Sequence, residues 1–257
     1  MLKKDHQQQY FTTVWASMLR YLHAFYEAQK PEDLHQFRVQ VKKINALLFF
    51  LQGLTNRKEG AGPLQPLRFI YKHAGQIRSV HIHLQLIGQY QVAGEAFKTA
   101  QEKLAKTETK RFCSKRVSTL KMLRQLHQTL AGNFQDIKNK VILRLYKKRL
   151  KKLGRFFAKQ DQPIDKLHKN RKKVKMLLYL RQALPRSLRQ KLQLNTRYLH
   201  KLQDTIGKWN DVEIILELLK TEGFRDEKNL KKLEKQSLRL HESIGSVSKD
   251  FRKKLVL

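Results

Sequence analysis

The chain has 257 residues, 40% of them hydrophobic, so it can bury a core as one large domain or two small ones. Its 55 Lys and Arg residues outnumber 21 acidic residues, and the formal net charge of +34 favours a polyanionic partner over a merely solubilising surface, because such a charge opposes compaction. The single cysteine, Cys113, excludes a disulfide framework and a cysteine-based zinc site.

The chain opens with MLKKDHQQQYF, which contains no apolar segment of the signal-peptide type. The longest apolar stretch, 44–54, is too short to span a bilayer and contains a glutamine. We therefore expect a soluble, intracellular protein that makes no membrane contact.

Apolar residues recur at helical spacing along most of the chain, and no long stretch alternates with period two, so the predicted fold class is all-α. Breaks are predicted at 60–63 and at Gly223, and Asn210, with Glu213 three residues later, is predicted to cap the start of a helix. In chain order, the predicted helices are 10–29, 33–54, 64–90, 95–131, 133–159, 165–184, 187–207, 210–221 and 225–255.

One basic phrase occurs twice, as DLHQFRVQVKK from Asp33 and as DKLHKNRKKVK from Asp165. A second stretch also recurs, since AGQIRSVHIHLQLI (74–87) aligns with IGKWNDVEIILELL (206–219). Both pairs keep their order and nearly their spacing, and two copies with so long a period indicate a duplication. We predict a single domain, 1–257, with internal repeats 1–131 and 132–257.

Each phrase forms a cationic stripe when it is placed on a helix at about 100° per residue. His35, Arg38 and Lys42 share one side, and the apolar residues of the same helix lie opposite. His168, Arg171, Lys172 and Lys175 repeat the stripe. Few acidic residues accompany these cations, which favours an anion-binding surface over internal pairing. We expect the fold to survive replacement of both arginines, because they lie off the apolar faces. The alternative to an anion-binding role is that the stripe is an ordinary solvated face or that the repeated phrase serves helix packing.

The repeated stretches resemble the CHAD family, named for a conserved histidine α-helical domain. The resemblance rests on HQFRVQVKK (35–43), LRFIYKHAGQIRSV (67–80), HKNRKKVK (168–175) and LQDTIGKWNDVEI (202–214). It implies two four-helix bundles related by pseudo-two-fold symmetry, and a basic groove between them that binds inorganic polyphosphate. It also suggests a module that targets polyphosphate granules, where granule proteins are further partners.

The resemblance also implies which side chains bind polyphosphate. One wall of the groove would carry His35, Arg38, Lys42 and Lys43. The other wall would carry His168, Arg171, Lys172 and Lys175. Further candidates are Arg20, Arg68, Lys72, Arg78, Lys148, Lys152, Arg155, Arg197 and Lys201. Arginine suits this role because it can contact two phosphate oxygens at once. For the two histidines, contact with the ligand and support of the helix stay open alternatives.

The sequence departs from the family pattern at several positions. Asn45 and Leu178 stand where relatives often have arginine, Met176 replaces a cation, and Ser79 stands where the first half usually has Asp. The first wall is therefore expected to bind less tightly than in relatives. Asp211 is expected to cap a helix or to pair with a neighbouring arginine.

Enzymatic activity is not expected, and no cofactor or metal is predicted. The chain has no P-loop and no two glutamates spaced as Glu-x-Glu, which polyphosphate-cleaving triphosphatases use to hold metal. Non-specific nucleic-acid binding is the alternative function, because phosphate contacts are shared between the two polyanions. The stripes carry few aromatics for base stacking, so only weak nucleic-acid binding is expected.

Overall fold

The computed structural model describes residues 1–55, 64–91, 94–132, 134–159, 162–221 and 227–255. These ranges contain helices and no strand, which confirms the predicted all-α class. None of the described helices combines the length and apolar composition needed to cross a membrane. In chain order the helices are α1 (Lys4–Ala28), α2 (Pro31–Thr55), α3 (Gln65–Tyr90), α4 (Glu95–Cys113), α5 (Arg116–Ala131), α6 (Asn139–Phe157), α7 (Ile164–Gln182), α8 (Arg186–Lys191), α9 (Thr196–Thr221), α10 (Glu227–Ser248) and α11 (Phe251–Lys254).

The start and end of α1 follow from its local sequence. Its buried residues recur every three or four positions and form one apolar face. The helix ends where Gln29 adopts the left-handed conformation (φ 50°) and its N–H donates to the carbonyl of Phe25 at 2.8 Å. The next helix begins directly at Pro31, a residue whose fixed φ suits the first helical position.

The chain divides into two compact units. Unit 1 comprises Met1–Gln85 and Gly94–Ile137, and unit 2 comprises Leu86–Ala93 and Lys138–Leu257. The single domain 1–257, its internal repeats and the pseudo-two-fold symmetry between them stay predictions.

The two ends of unit 1 are tied together by hydrogen bonds. Leu2 and Ile137 exchange two backbone hydrogen bonds, of 2.8 and 3.0 Å. The fully buried Gln7 donates from Nε2 to the carbonyl of Gln135 at 2.6 Å. Beyond this closure, α1 packs against both α2 and α5.

In unit 2, α9 packs against both α7 and α10, and α6 packs against α7 and α11. Tyr146 of α6 is fully buried, and its hydroxyl donates to the carbonyl of Leu177 at 3.1 Å. The N–H of Asn195 donates to the carbonyl of Leu255 at 2.9 Å, which ties the start of α9 to the end of the described chain.

The predicted cap at Asn210 is wrong, because α9 runs without interruption from Thr196 to Thr221. Buried Trp209 and Val212 continue the apolar face on both sides of this position, so packing prolongs the helix past its local cap signal.

The predicted helix 95–131 is two helices, separated by a turn at Ser114 and Lys115. Neither residue is a glycine or proline, so the sequence carried no break signal there. The turn follows Phe112, which packs on the rings of Phe25 and Tyr26, and it lets α5 pack against α1 as well.

Two more predicted helices are interrupted at residues in the left-handed region. Gln193 (φ 43°) lies between α8 and α9, and Asp250 (φ 56°) lies between α10 and α11. Local sequence gives little warning of such positions when they are not glycine. The predicted breaks at 60–63 and at Gly223 lie outside the described residues.

Replacement of Phe37 by alanine should lower the free energy of unfolding by about 3–5 kcal/mol, because the ring is fully buried and its removal leaves a cavity. Phe69→Ala is the control, since that ring is 61% exposed, and it should cost less than about 1 kcal/mol. Urea unfolding followed by circular dichroism measures both, and equal losses would contradict the position of the core.

Candidate anion-binding faces

Arg38 of α2 reaches across to α3, where its guanidinium lies on the helix backbone. Its Nη1 donates a hydrogen bond to the carbonyl of Tyr71, and its Cζ lies 4.0 Å from the centre of the Tyr71 ring. A Cβ atom on Gly75 would lie only 3.1 Å from Cζ and closer still to Nη1. The guanidinium therefore occupies the space that any side chain at position 75 would need.

Arg171 makes the corresponding contact in unit 2. Its Nε donates to the carbonyl of Gln203 on α9 at 2.9 Å, and a Cβ atom on Gly207 would lie 2.6 Å from its Nη2. In both units the glycine follows the accepting carbonyl by four residues, so its own helical N–H is directed at that same oxygen. We call this arrangement the arginine–glycine contact.

This contact changes the interpretation of the cationic stripe. The stripe was expected to lie on a side of the helix away from the core, but both arginines are half-buried and each joins two helices. Their replacement is therefore expected to cost stability, contrary to the expectation that the fold survives it. Gly75 and Gly207 were not predicted as site residues, although their recurrence at a nearly constant distance from the phrase was a usable signal.

A second cation, Arg78, lies beside the arginine–glycine contact of unit 1, and we call Arg38 and Arg78 together the cation cluster of unit 1. Burial lowers the pKa of Arg38, and the neighbouring Arg78 lowers it as well, although Tyr71 opposes both effects. Burial also lowers the pKa of Lys43. The Nε of Arg78 is buried and makes no hydrogen bond within the described residues. The cluster thus combines repelling charges with an unused donor.

The equivalent contact of unit 2 has acidic neighbours. Burial lowers the pKa of Lys175 and the adjacent Arg171 lowers it further, whereas Asp204 and Asp211 act in the opposite direction. Gln203 also donates a side-chain hydrogen bond to Asp204. Asp211 lies in the middle of α9, so the expectation that it caps a helix is wrong, and it acts on Lys175. Its pairing with an arginine stays a prediction.

The other predicted site residues differ in exposure. Lys42 and Lys43 are half-buried on α2, and the two histidines, His35 and His168, are half-buried near the starts of α2 and α7. Arg20 lies on α1, with its Cζ 5.0 Å from the centre of the Tyr21 ring. The exposed candidates are Arg20, Arg68 and Lys72 in unit 1 and Lys148, Lys152, Arg155, Lys172, Arg197 and Lys201 in unit 2. Ligand contact for each of these residues stays a prediction.

In the part of the chain that the structure describes, no group of three or more His, Cys, Asp or Glu side chains could hold a metal ion. The groups that the site offers are guanidinium and ammonium donors, which bind oxyanions by charge and hydrogen bonding.

Comparisons with known proteins support the resemblance drawn from the sequence. Residues 9–220 match the family model described as the CHAD domain. The fold is similar to the crystal structure of the CHAD domain from the plant Ricinus communis, with a TM-score of 0.68 and 16% sequence identity over 96% of this chain and 91% of that chain. No significant match to a curated protein sequence was found.

The arginine–glycine contact can be tested with four alanine variants. Gly75→Ala and Gly207→Ala should destabilise the protein by about 0.5–2 kcal/mol, because the new methyl group displaces a guanidinium from its carbonyl. Gly88→Ala and Gly245→Ala are matched controls in helices with no atom within 4 Å of the new Cβ, and they should be neutral or stabilising by up to about 1 kcal/mol.

A double-mutant cycle then separates this displacement from other effects of the methyl group. In an Arg38→Ala background, Gly75→Ala should become neutral or stabilising, because the displaced group is gone and alanine favours helix. Chemical denaturation of the single and double variants measures the coupling energy. If Gly75→Ala lowers the free energy of unfolding by the same amount in the Arg38→Ala background as in the wild type, the contact is contradicted.

Proposed function

Because this chain belongs to the CHAD-domain family, we propose that it binds inorganic polyphosphate on the cationic faces that surround Arg38 and Arg171. The bound species is a linear chain of phosphates, and the protein acts as a binding module and not as an enzyme. We further propose that it acts in the cytoplasm, where it can attach to polyphosphate granules and bring other granule proteins with it.

The cation cluster of unit 1 is the observation that supports this function best. Arg38 and Arg78 have no carboxylate within 4 Å of their nitrogens in the described structure. Arg38 and Arg78 are half-buried and repel each other, which makes the cluster costly by itself. An oxyanion placed among these groups would relieve the repulsion and satisfy donors such as the Nε of Arg78.

The arginine–glycine contact suits a binding role because it positions the guanidinium without using all of its donors. A guanidinium carries five N–H groups, and the backbone carbonyl of Tyr71 accepts one of them from Arg38. The arginine is therefore held in a fixed orientation before a ligand arrives, which reduces the entropy lost on binding. Its remaining donors are available for phosphate oxygens.

Exposed cations around each contact extend the binding surface. Lys72 lies on the same helix as the carbonyl that Arg38 contacts, and Lys172 follows Arg171 directly. Many cations that each contact one phosphate give tight binding in total, although each contributes little. The expectation that both units contribute to one groove stays a prediction.

Replacement of Lys42, Lys43 and Lys172 together by glutamine should weaken polyphosphate binding by about tenfold or more at physiological salt, because three phosphate contacts are lost. The matched control replaces Lys228, Lys232 and Lys235, three exposed lysines of α10, and should weaken binding much less. Fluorescence titration with end-labelled polyphosphate at three salt concentrations measures both variants, and the first should also show a flatter salt dependence. Equal losses for the two triple variants would mean that the protein binds through diffuse charge only.

Competition distinguishes polyphosphate from nucleic acid as the physiological class of ligand. Unlabelled polyphosphate should displace labelled single-stranded RNA at physiological salt, whereas RNA at equal phosphate concentration should displace polyphosphate poorly. The physical reason is that the faces supply phosphate contacts but few aromatic side chains on which bases could stack. Displacement of polyphosphate by RNA at equal or lower concentration would favour the nucleic-acid alternative.

A further inference from the structure

The two arginine–glycine contacts fix which residues of α3 and α9 are equivalent. Tyr71 accepts the arginine in unit 1 and Gln203 accepts it in unit 2, and in each case the crowded glycine follows four residues later. Counted from these carbonyls, Lys72 corresponds to Asp204, Arg78 to Asn210 and Ser79 to Asp211. Unit 1 thus has two cations at three positions where unit 2 has two carboxylates.

These three positions lie on the face that the arginine contacts. At about 100° per residue, Lys72, Arg78 and Ser79 all fall within about 60° of Gly75 around the helix axis. The equivalent residues of α9 have the same offsets from Gly207. Substitutions at these positions therefore change the charge next to the contact and not on the far side of the helix.

The surroundings of each contact reflect this difference in charge. In unit 1, Arg78 acts on Arg38, and no carboxylate lies within 4 Å of Lys72 or Arg78 in the described residues. In unit 2, Asp204 and Asp211 both act on Lys175, the residue one turn after Arg171. A phosphate group near Arg171 would therefore meet two negative charges that have no counterpart near Arg38.

We propose that unit 1 carries the tighter phosphate-binding face of the protein, and that Asp204 and Asp211 weaken the equivalent face of unit 2. The inference rests on the proposed function and deepens it by assigning unequal roles to the two units. The face of α2 and α3 binds phosphate more tightly, and the face of α7 and α9 binds it more weakly, because attraction there is offset by repulsion. Ser79 stands where unit 2 has Asp211 and leaves out its negative charge, so at this position the first face gains strength, contrary to the expectation from the sequence that Ser79 weakens the first wall.

Paired charge-removal variants test the inequality. Lys72→Gln/Arg78→Gln removes two cations from unit 1, and Lys172→Gln/Lys175→Gln removes two from unit 2. The first variant should weaken polyphosphate binding by about tenfold or more and the second by less than about threefold at physiological salt. Circular dichroism and the unfolding midpoint verify that both variants remain folded.

Removal of the carboxylates gives a test that does not depend on lost binding. Asp204→Asn/Asp211→Asn should tighten binding by about threefold or more, because the repulsion on the second face disappears. Glu217→Gln/Glu242→Gln is the matched control in unit 2, with the same change in net charge at two other exposed carboxylates. It should tighten binding by less than about 1.5-fold, the effect of net charge alone.

The outcomes separate this inference from the proposed function. Two results would overturn the inequality between the units if the wild-type protein binds polyphosphate. One is an equal loss of affinity in the two cation-removal variants. The other is an equal gain of affinity in Asp204→Asn/Asp211→Asn and its Glu control. If wild-type protein does not bind polyphosphate at physiological salt, the proposed function itself is overturned and the inference with it. The inference and the proposed function are both supported if the unit 1 cation variant loses more affinity than the unit 2 variant and only the Asp variant gains affinity.

Discussion

The contact between an arginine guanidinium and a helix carbonyl, opposite a glycine, organises both candidate faces. An arginine side chain that crosses from one helix to another loses hydration and conformational freedom, so it needs a partner in a fixed place. A backbone carbonyl is such a partner, since its position depends on the helix and not on a rotamer. The glycine is necessary because the guanidinium lies on the helix surface itself. The neighbouring cations of the same helices, such as Lys42 and Arg78, are positioned relative to this contact.

The protein's own carboxylates leave many of its cations unneutralised, which is consistent with a surface that binds an external polyanion. The ion pairs of the described residues include Arg116–Glu27 at 2.7 Å and Lys220–Glu234 at 3.4 Å, whose side chains are largely exposed. Exposed pairs of this kind add little stability. The carboxylates therefore do not neutralise the cation cluster of unit 1, and a net charge of +34 leaves a strong field for polyanions.

The two occurrences of the basic phrase share the same framework and differ in the charges around it. The framework consists of the arginine, the carbonyl and the glycine, which recur with arginine-to-carbonyl separations of 33 and 32 residues. The charges at the three equivalent positions differ in sign because these side chains are half-buried or exposed and are not needed for the contact. The contact therefore sets the framework in both units, whereas the charges beside it can differ from one unit to the other.

The sequence by itself determined the helical fold class, the family and the recurrence of an arginine in both basic phrases. These features depend on local periodicity and on the order of short motifs, which a linear chain displays directly. Only the tertiary structure decided that α9 continues through Asn210, since the buried surface of Trp209 and Val212 outweighs a local cap signal. Likewise, only the structure showed that both arginines pack on a second helix, because a helical projection shows which side a residue faces but not which neighbour it meets. The role of Gly75 depends on a guanidinium 37 positions earlier in the chain, and no local rule connects two residues so far apart.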